Sequence, residues 1–234
     1  MSDINLADLV VLITGAGRAP ASALARRCAE LGATVAANDL SPNLLDPLAA
    51  FATGSSGRIQ AYVADATRGM PLRAMLDEIL EDCGKIDVLV SNPRIQPVTP
   101  LLEMDEWDWQ RTVEMNLNGP FLITQLVARL MREQGGGVIL NIVDMNPAAL
   151  NAPGRAAYAA SQQGLLSLSQ AAARELMAYN IRVYTLCPDE AVLQGQPSDP
   201  LVRLATYLCS PAAAHLPGQV FQVNNAQESA LPNL

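Results

Sequence analysis

A chain of 234 residues with 50% apolar and 16% charged side chains has enough apolar surface to offset the entropy of ordering, which excludes a disordered polyelectrolyte. Fifteen basic against 23 acidic residues give a formal charge of −8, the wrong sign for gripping a phosphate backbone, so nucleic acid is not expected as a partner. No uninterrupted apolar run reaches the ~18–20 residues of a bilayer span, and the start MSDINLADLV lacks the basic region of a secretory signal.

Apolar strand-like runs alternate with helical patterns along the chain. Val10-Val11-Leu12-Ile13 reads as a strand ending at Thr14-Gly15, followed by an alanine- and arginine-rich helix that Gly32 stops. Residues 34–37 read as a second strand, and Ser41-Pro42 opens a helix, with serine as cap and proline in the first turn. A third strand is expected over 59–64, a helix over 72–80 and a fourth strand over 86–90. A long helix over 105–132 should bend near Asn118-Gly119-Pro120, and Gly135-Gly136-Gly137 separates it from a strand over 138–142. Another long helix over 155–177, a strand over 181–186, a short helix over 199–209 and a last strand over 220–223 complete the chain.

Strands alternating with helices call for a parallel sheet covered on both faces, and near-continuous apolar strands agree with that. Right-handed crossovers make the expected fold α/β, a three-layer doubly wound parallel sheet in a single domain over residues 1–234. Cys28, Cys83, Cys187 and Cys209 form no CxxC pair, which fits reduced thiols and a cytoplasmic location, with no metal site.

Ligands of doubly wound sheets bind beyond the carboxyl ends of the strands. The first such end is Thr14-Gly15-Ala16-Gly17-Arg18-Ala19-Pro20-Ala21, where a pyrophosphate would approach the backbone and the helix N-terminus. Asp39, ending the second strand 24 residues beyond Gly15, stands where a carboxylate accepts hydrogen bonds from an adenosine ribose. A tight turn and a helix cap explain the same residues equally simply.

The ordered set TGAGRAPA, Asp39, VADAT, LVSNP, EMNLNG, GVILNI, YAASQ and IRVYTLCP, closing with GQVFQVNN, resembles the short-chain dehydrogenase/reductase family over nearly the whole chain. The resemblance implies a Rossmann-type fold, a nicotinamide dinucleotide, an Asn-Ser-Tyr-Lys catalytic set, and dimers or tetramers. On this reading Gly15, Gly17, Ala19, Asp39, Asp65 and Asn92 are the cofactor-binding positions. Asn116, Asp144, Tyr158 and Gln162 are the catalytic ones, and Asp39 favours NAD over NADP.

Several positions depart from the family pattern. Ala19 and Ala21 replace glycines, and Pro20 between them has no N–H to offer a pyrophosphate. The NNAG segment is Ser91-Asn92-Pro93-Arg94, and Asp189 follows Pro188 where the family has glycine and approaches the nicotinamide. The lysine four residues beyond the tyrosine, on the same helix face, is Gln162. Without that cation Tyr158 is expected near its ordinary pKa of about 10, with roughly one molecule in a thousand ionised at pH 7. The serine position falls on Asp144, which accepts hydrogen bonds when ionised but donates none. At about 4 Å and an effective dielectric near 20 it would oppose a developing oxyanion by about 4 kcal/mol, or about a thousandfold in rate. Only residues 189–198 stand where the family carries a substrate-binding segment of several tens of residues, so the lid looks largely deleted.

The expected function is therefore a family member with little or no ordinary dehydrogenase activity. It would be a structural or regulatory subunit, as a homo-dimer or homo-tetramer or as a hetero-oligomer beside an active homologue. Two alternatives stand beside it. One is an NAD-dependent oxidoreductase acting on a small carbonyl or alcohol, with Tyr158 as proton donor and Asn116 and a protonated Asp144 orienting the substrate. The other is a cofactor-free enzyme like the halohydrin dehalogenases, although those pair the tyrosine with arginine where this chain has Gln162. Structural readings of the same residues place Tyr158 at a cleft edge, Asn116 at a helix kink, Trp107 and Trp109 in packing, and His215 on the surface.

Overall fold

The computed structural model describes residues 4–51, 56–92, 94–196 and 198–223. Seven strands form one sheet: β1 (Val10–Thr14), β2 (Thr34–Asp39), β3 (Arg58–Val63), β4 (Val88–Ser91), β5 (Gly137–Ile142), β6 (Ile181–Pro188) and β7 (Val220–Val223). All pairings are parallel, in the order β3-β2-β1-β4-β5-β6-β7. The chain thus builds outward from β1 in one direction, then crosses back to β4 and builds in the other. That reversal leaves a crevice above the carboxyl ends of β1 and β4.

The alternation of side chains along each strand divides the core. Val11 and Ile13 face a layer containing helices α1 (Ala21–Glu30) and α2 (Pro42–Phe51), with α9 (Asp199–Cys209) beside them. Leu12, Leu89 and Ile139 face the opposite layer, built on α3 (Gly69–Cys83) and α5 (Gly119–Gln134). Helix α7 (Ala156–Leu176) lies on this second side and packs Ala172, Ala173 and Leu176 against it.

The bend expected near Asn118-Gly119-Pro120 is a π-helical turn, Glu114–Asn118, joining α4 (Glu106–Val113) to α5. One expectation about packing is corrected. Trp107 and Trp109 are exposed, and Trp107 carries the Arg111 guanidinium 5.0 Å from its ring centroid rather than filling core. The segment read as a deleted lid contains a short helix, α8 (Glu190–Leu193), capped by Asp189 Oδ1, which accepts from the Val192 N–H at 3.0 Å. His215 is exposed, as expected. Another short helix, α6 (Pro147–Leu150), follows β5. Asn224 and Asn225 of the closing motif lie outside the described residues. Among the described residues no helix is long and apolar enough to cross a membrane, and no group of His, Cys, Asp or Glu side chains is arranged to hold a metal.

Candidate functional site

A cleft of about 820 Å³ lies over the crevice, within the roughly 300–1,000 Å³ typical of ligand sites. Gly15 takes φ 63 in the β1–α1 turn, a conformation open to glycine at no steric cost, and lines the cleft with Ala19. Gly17 does not. A methyl group there would collide with Leu44 Cβ and stand 2.9 Å from the Leu44 carbonyl oxygen, so its small size serves the contact with α2. Asp39 Oδ2 accepts from the Gly17 N–H at 3.2 Å and Oδ1 from the Ser41 N–H at 3.2 Å. Asp65 Oδ1 accepts from the Thr67 N–H at 3.0 Å and the Thr67 hydroxyl at 2.6 Å. Both carboxylates therefore cap backbone turns while bordering the cleft. Asn92 lines it too and donates from Nδ2 to the Gly15 carbonyl at 3.3 Å. Its neighbour Pro93 is outside the described residues.

Beneath the cleft a row of polar side chains runs in register across five strands: Asn38, Thr14, Ser91, Asn141 and Thr185. Thr14 Oγ1, Ser91 Oγ and Asn141 Oδ1 are buried without a protein partner. Asn141 Nδ2 nonetheless reaches Ser169 of α7 at 2.9 Å. Buried polar atoms are ordinarily paired, and of this row only Asn38 and Thr14 line the cleft.

The four residues read as catalytic do not border the cleft. Asn116, in the π turn, accepts from the Ile95 N–H at 2.9 Å and donates to the Ile95 carbonyl at 2.8 Å and to Ser161 Oγ at 3.1 Å. It ties the β4–α4 connection to α7. Tyr158 is 0% exposed and Asp144 2%, which corrects the expectation of a tyrosine at a cleft edge. The Tyr158 hydroxyl donates to Asp144 Oδ2 at 2.7 Å. Asp144 Oδ1 accepts from the Asn146 N–H at 2.9 Å, and the Asp144 N–H donates to Gln162 Oε1 at 2.8 Å.

The expectation that Tyr158 lacks a cationic neighbour is also corrected. Arg94 Nη1 donates to the Tyr158 hydroxyl at 3.2 Å and stands 3.7 Å from Asp144 Oδ2. Its Nη2 donates to the Leu193 carbonyl of α8 at 2.6 Å. The Arg155 guanidinium lies 5.7 Å from the centroid of the same ring. The Tyr158 phenol does not keep its ordinary pKa but is pushed well above it. Burial is the main cause; Arg94 lowers the value and Asp144 raises it further. Cys187, buried beside this group, is pushed up to about 12 by burial and then by Asp144. Sequence reasoning noted position 94 only as a departure from NNAG, whereas its side chain joins β4, α7, α8 and the loop after β5.

The sheet order and the crevice over its reversal define a nucleotide-binding class of α/β fold. The sequence profile of the short chain dehydrogenase family matches residues 9–192. A 3-oxoacyl-(acyl-carrier-protein) reductase of Thermotoga maritima is 36% identical over 185 residues, covering 79% of this chain and 75% of that protein. A D-threitol dehydrogenase of Mycolicibacterium smegmatis is 33% identical over 186 residues, covering 80% and 71%. Among solved structures, a short-chain type dehydrogenase/reductase from Mycobacterium marinum superposes with a TM-score of 0.87 at 28% identity, covering 98% of this chain and 100% of that one. The chain belongs to the short-chain dehydrogenase/reductase family.

Proposed function

We propose that this family member carries out no ordinary hydride transfer and serves as a structural or regulatory subunit. The observation that carries this reading is the Tyr158 hydroxyl: it is buried, its proton is directed at Asp144, and Arg94 covers its other side. A proton donor must come within hydrogen-bond reach of the reacting atom, and this hydroxyl is already committed within the protein.

The two halves of the cleft differ in how they suit a nicotinamide dinucleotide such as NAD. At one end Asp39 and Asp65 border open space, which suits an adenosine. The second nucleoside of a dinucleotide lies across the strand-order reversal, over the carboxyl ends of β4, β5 and β6. There the Arg94 side chain spans to Leu193, and this half does not suit a nicotinamide.

The test is turnover. Purified protein should leave NAD, NADH, NADP and NADPH unchanged at enzyme-like rates against a panel of small carbonyls and alcohols. Steady oxidation or reduction that Tyr158→Phe abolishes would replace this reading with the NAD-dependent oxidoreductase, which the open adenosine half favours. A cofactor-free enzyme of the halohydrin dehalogenase kind would also need a cation beside the tyrosine, and Arg94 brings one from the loop after β4 and not from position 162. Halide or epoxide turnover without nucleotide would establish that reading instead. A cytoplasmic homo-dimer or homo-tetramer, or a hetero-oligomer with an active homologue, is the assembly this reading implies. Light scattering of the protein alone and mixed with such a homologue separates these states.

A further inference from the structure

Arg94 does more than cover Tyr158, because it sits where the cleft would have to continue. We infer that Arg94 sets the length of the ligand: the cleft takes an adenosine 5′-phosphate, at most a diphosphate, and excludes the full nicotinamide dinucleotide. The inference rests on the proposed absence of hydride transfer and deepens it by naming what the remaining space binds.

Three observations support it. The open part of the cleft is bordered by the exposed apolar side chain of Leu40 and by Asp39 and Asp65, which supply an apolar surface for a base and acceptors for ribose hydroxyls. Arg18, in the turn between β1 and α1, borders the same space, is exposed, and forms no ion pair among the described residues. A guanidinium without a carboxylate partner suits a phosphate, and it stands beside Pro20, which has no N–H to give one. At the inner end the Arg94 side chain is held at both nitrogens, by the Leu193 carbonyl and the Tyr158 hydroxyl. A ligand extending further would have to remove Arg94 from the buried Asp144 carboxylate and strand the carboxylate without its counter-charge.

Specificity is a ratio of affinities, so the experiment is calorimetric titration of the full chain with AMP, ADP, NAD, NADH and inorganic phosphate. ADP is expected to bind at least about tenfold more tightly than NAD or NADH, and more tightly than phosphate alone. Arg94→Ala is expected to bring NAD to within about threefold of ADP, by opening the inner end. Arg18→Ala, a surface change that leaves the buried cluster intact, should weaken ADP by about tenfold and tests the site even if the Arg94 variant does not fold. NADH binding as tightly as ADP, phosphate matching ADP, unchanged discrimination in a folded Arg94→Ala protein, or no adenine nucleotide binding would each overturn the inference. Loss of nucleotide binding would leave the absence of hydride transfer standing, whereas turnover of NADH would remove that reading first.

Discussion

Replacing Tyr158 by phenylalanine separates a structural hydroxyl from a catalytic one. The ring stays in its buried site and only the hydroxyl is lost, so packing changes little. Asp144 then loses the donor at 2.7 Å and keeps the Asn146 N–H and the more distant Arg94. A hydrogen bond to a charged group contributes about 1.5–3 kcal/mol, and the cost falls at the upper end when a buried carboxylate is left short of donors. For a domain of this size, about 2–4 °C of Tm accompanies each kcal/mol, so Tyr158→Phe should lower Tm by about 6–12 °C at fixed protein concentration. Tyr184→Phe is the internal control. Tyr184 is equally buried; it donates to a neutral carbonyl, that of Leu216, at 2.9 Å and accepts from Arg182 only at a long 3.4 Å, so about 0.5–1.5 kcal/mol is expected. Thermal and urea unfolding of both variants should rank Tyr158→Phe as the more destabilised. A Tyr158→Phe protein as stable as the parent would refute the claim that the hydroxyl is held by Asp144 and Arg94.

The alkaline limb of stability should report the buried phenols and thiols. Cys28 and Cys187 are each raised from 9.0 to about 12, chiefly by burial. Tyr158 is raised above its ordinary value of 10.0, also chiefly by burial. The unfolded chain loses these protons first and binds fewer of them, so stability is full below about pH 9 and falls as pH rises toward 12. Urea unfolding across that range should show a shallower fall in Cys28→Ala, and a shallower fall above pH 10 in Tyr158→Phe. Gln162→Met keeps the volume but leaves the buried Asp144 N–H without its acceptor, so it should cost about 1–3 kcal/mol by chemical denaturation. Gly17→Ala forces α2 away from the β1–α1 turn and should cost about 1–3 kcal/mol by the same measurement.

Strand periodicity and the order of helices and strands were legible because each depends on neighbours a few residues apart. The bend in the long helix was visible in Asn118-Gly119-Pro120, although its form as a π turn was not. Asn116 was readable as a residue of that bend, while its hydrogen bonds to Ile95 and Ser161 depend on how the loop after β4 returns. Helix α8 was missed despite a local signal: Asp189 followed by Glu190 is a capping residue with an acidic first turn. Arg94 could not be placed at all. Its partners Tyr158 and Leu193 lie 64 and 99 residues away, and the direction of a long flexible side chain is set only when the surrounding elements have packed.

That placement changes the meaning of the departures from the family pattern. Read singly, arginine at 94, aspartate at 144 and glutamine at 162 are three losses. In the structure they touch one another: Arg94 faces the Asp144 carboxylate, Gln162 accepts from the Asp144 N–H, and Tyr158 joins the first two. An aspartate introduced alone at a site 2% exposed would strand a charge in the interior. Here the guanidinium answers that charge from the loop after β4, and the uncharged glutamine fits because a second cation is no longer required. Asp144→Ser should therefore be worse than neutral, since it leaves Arg94 facing the buried hydroxyl without its carboxylate. Combining it with Arg94→Gly should recover stability relative to Asp144→Ser alone, a coupling that a double-mutant cycle measures directly. Additive effects of the two changes would show that Arg94 and Asp144 are not energetically coupled.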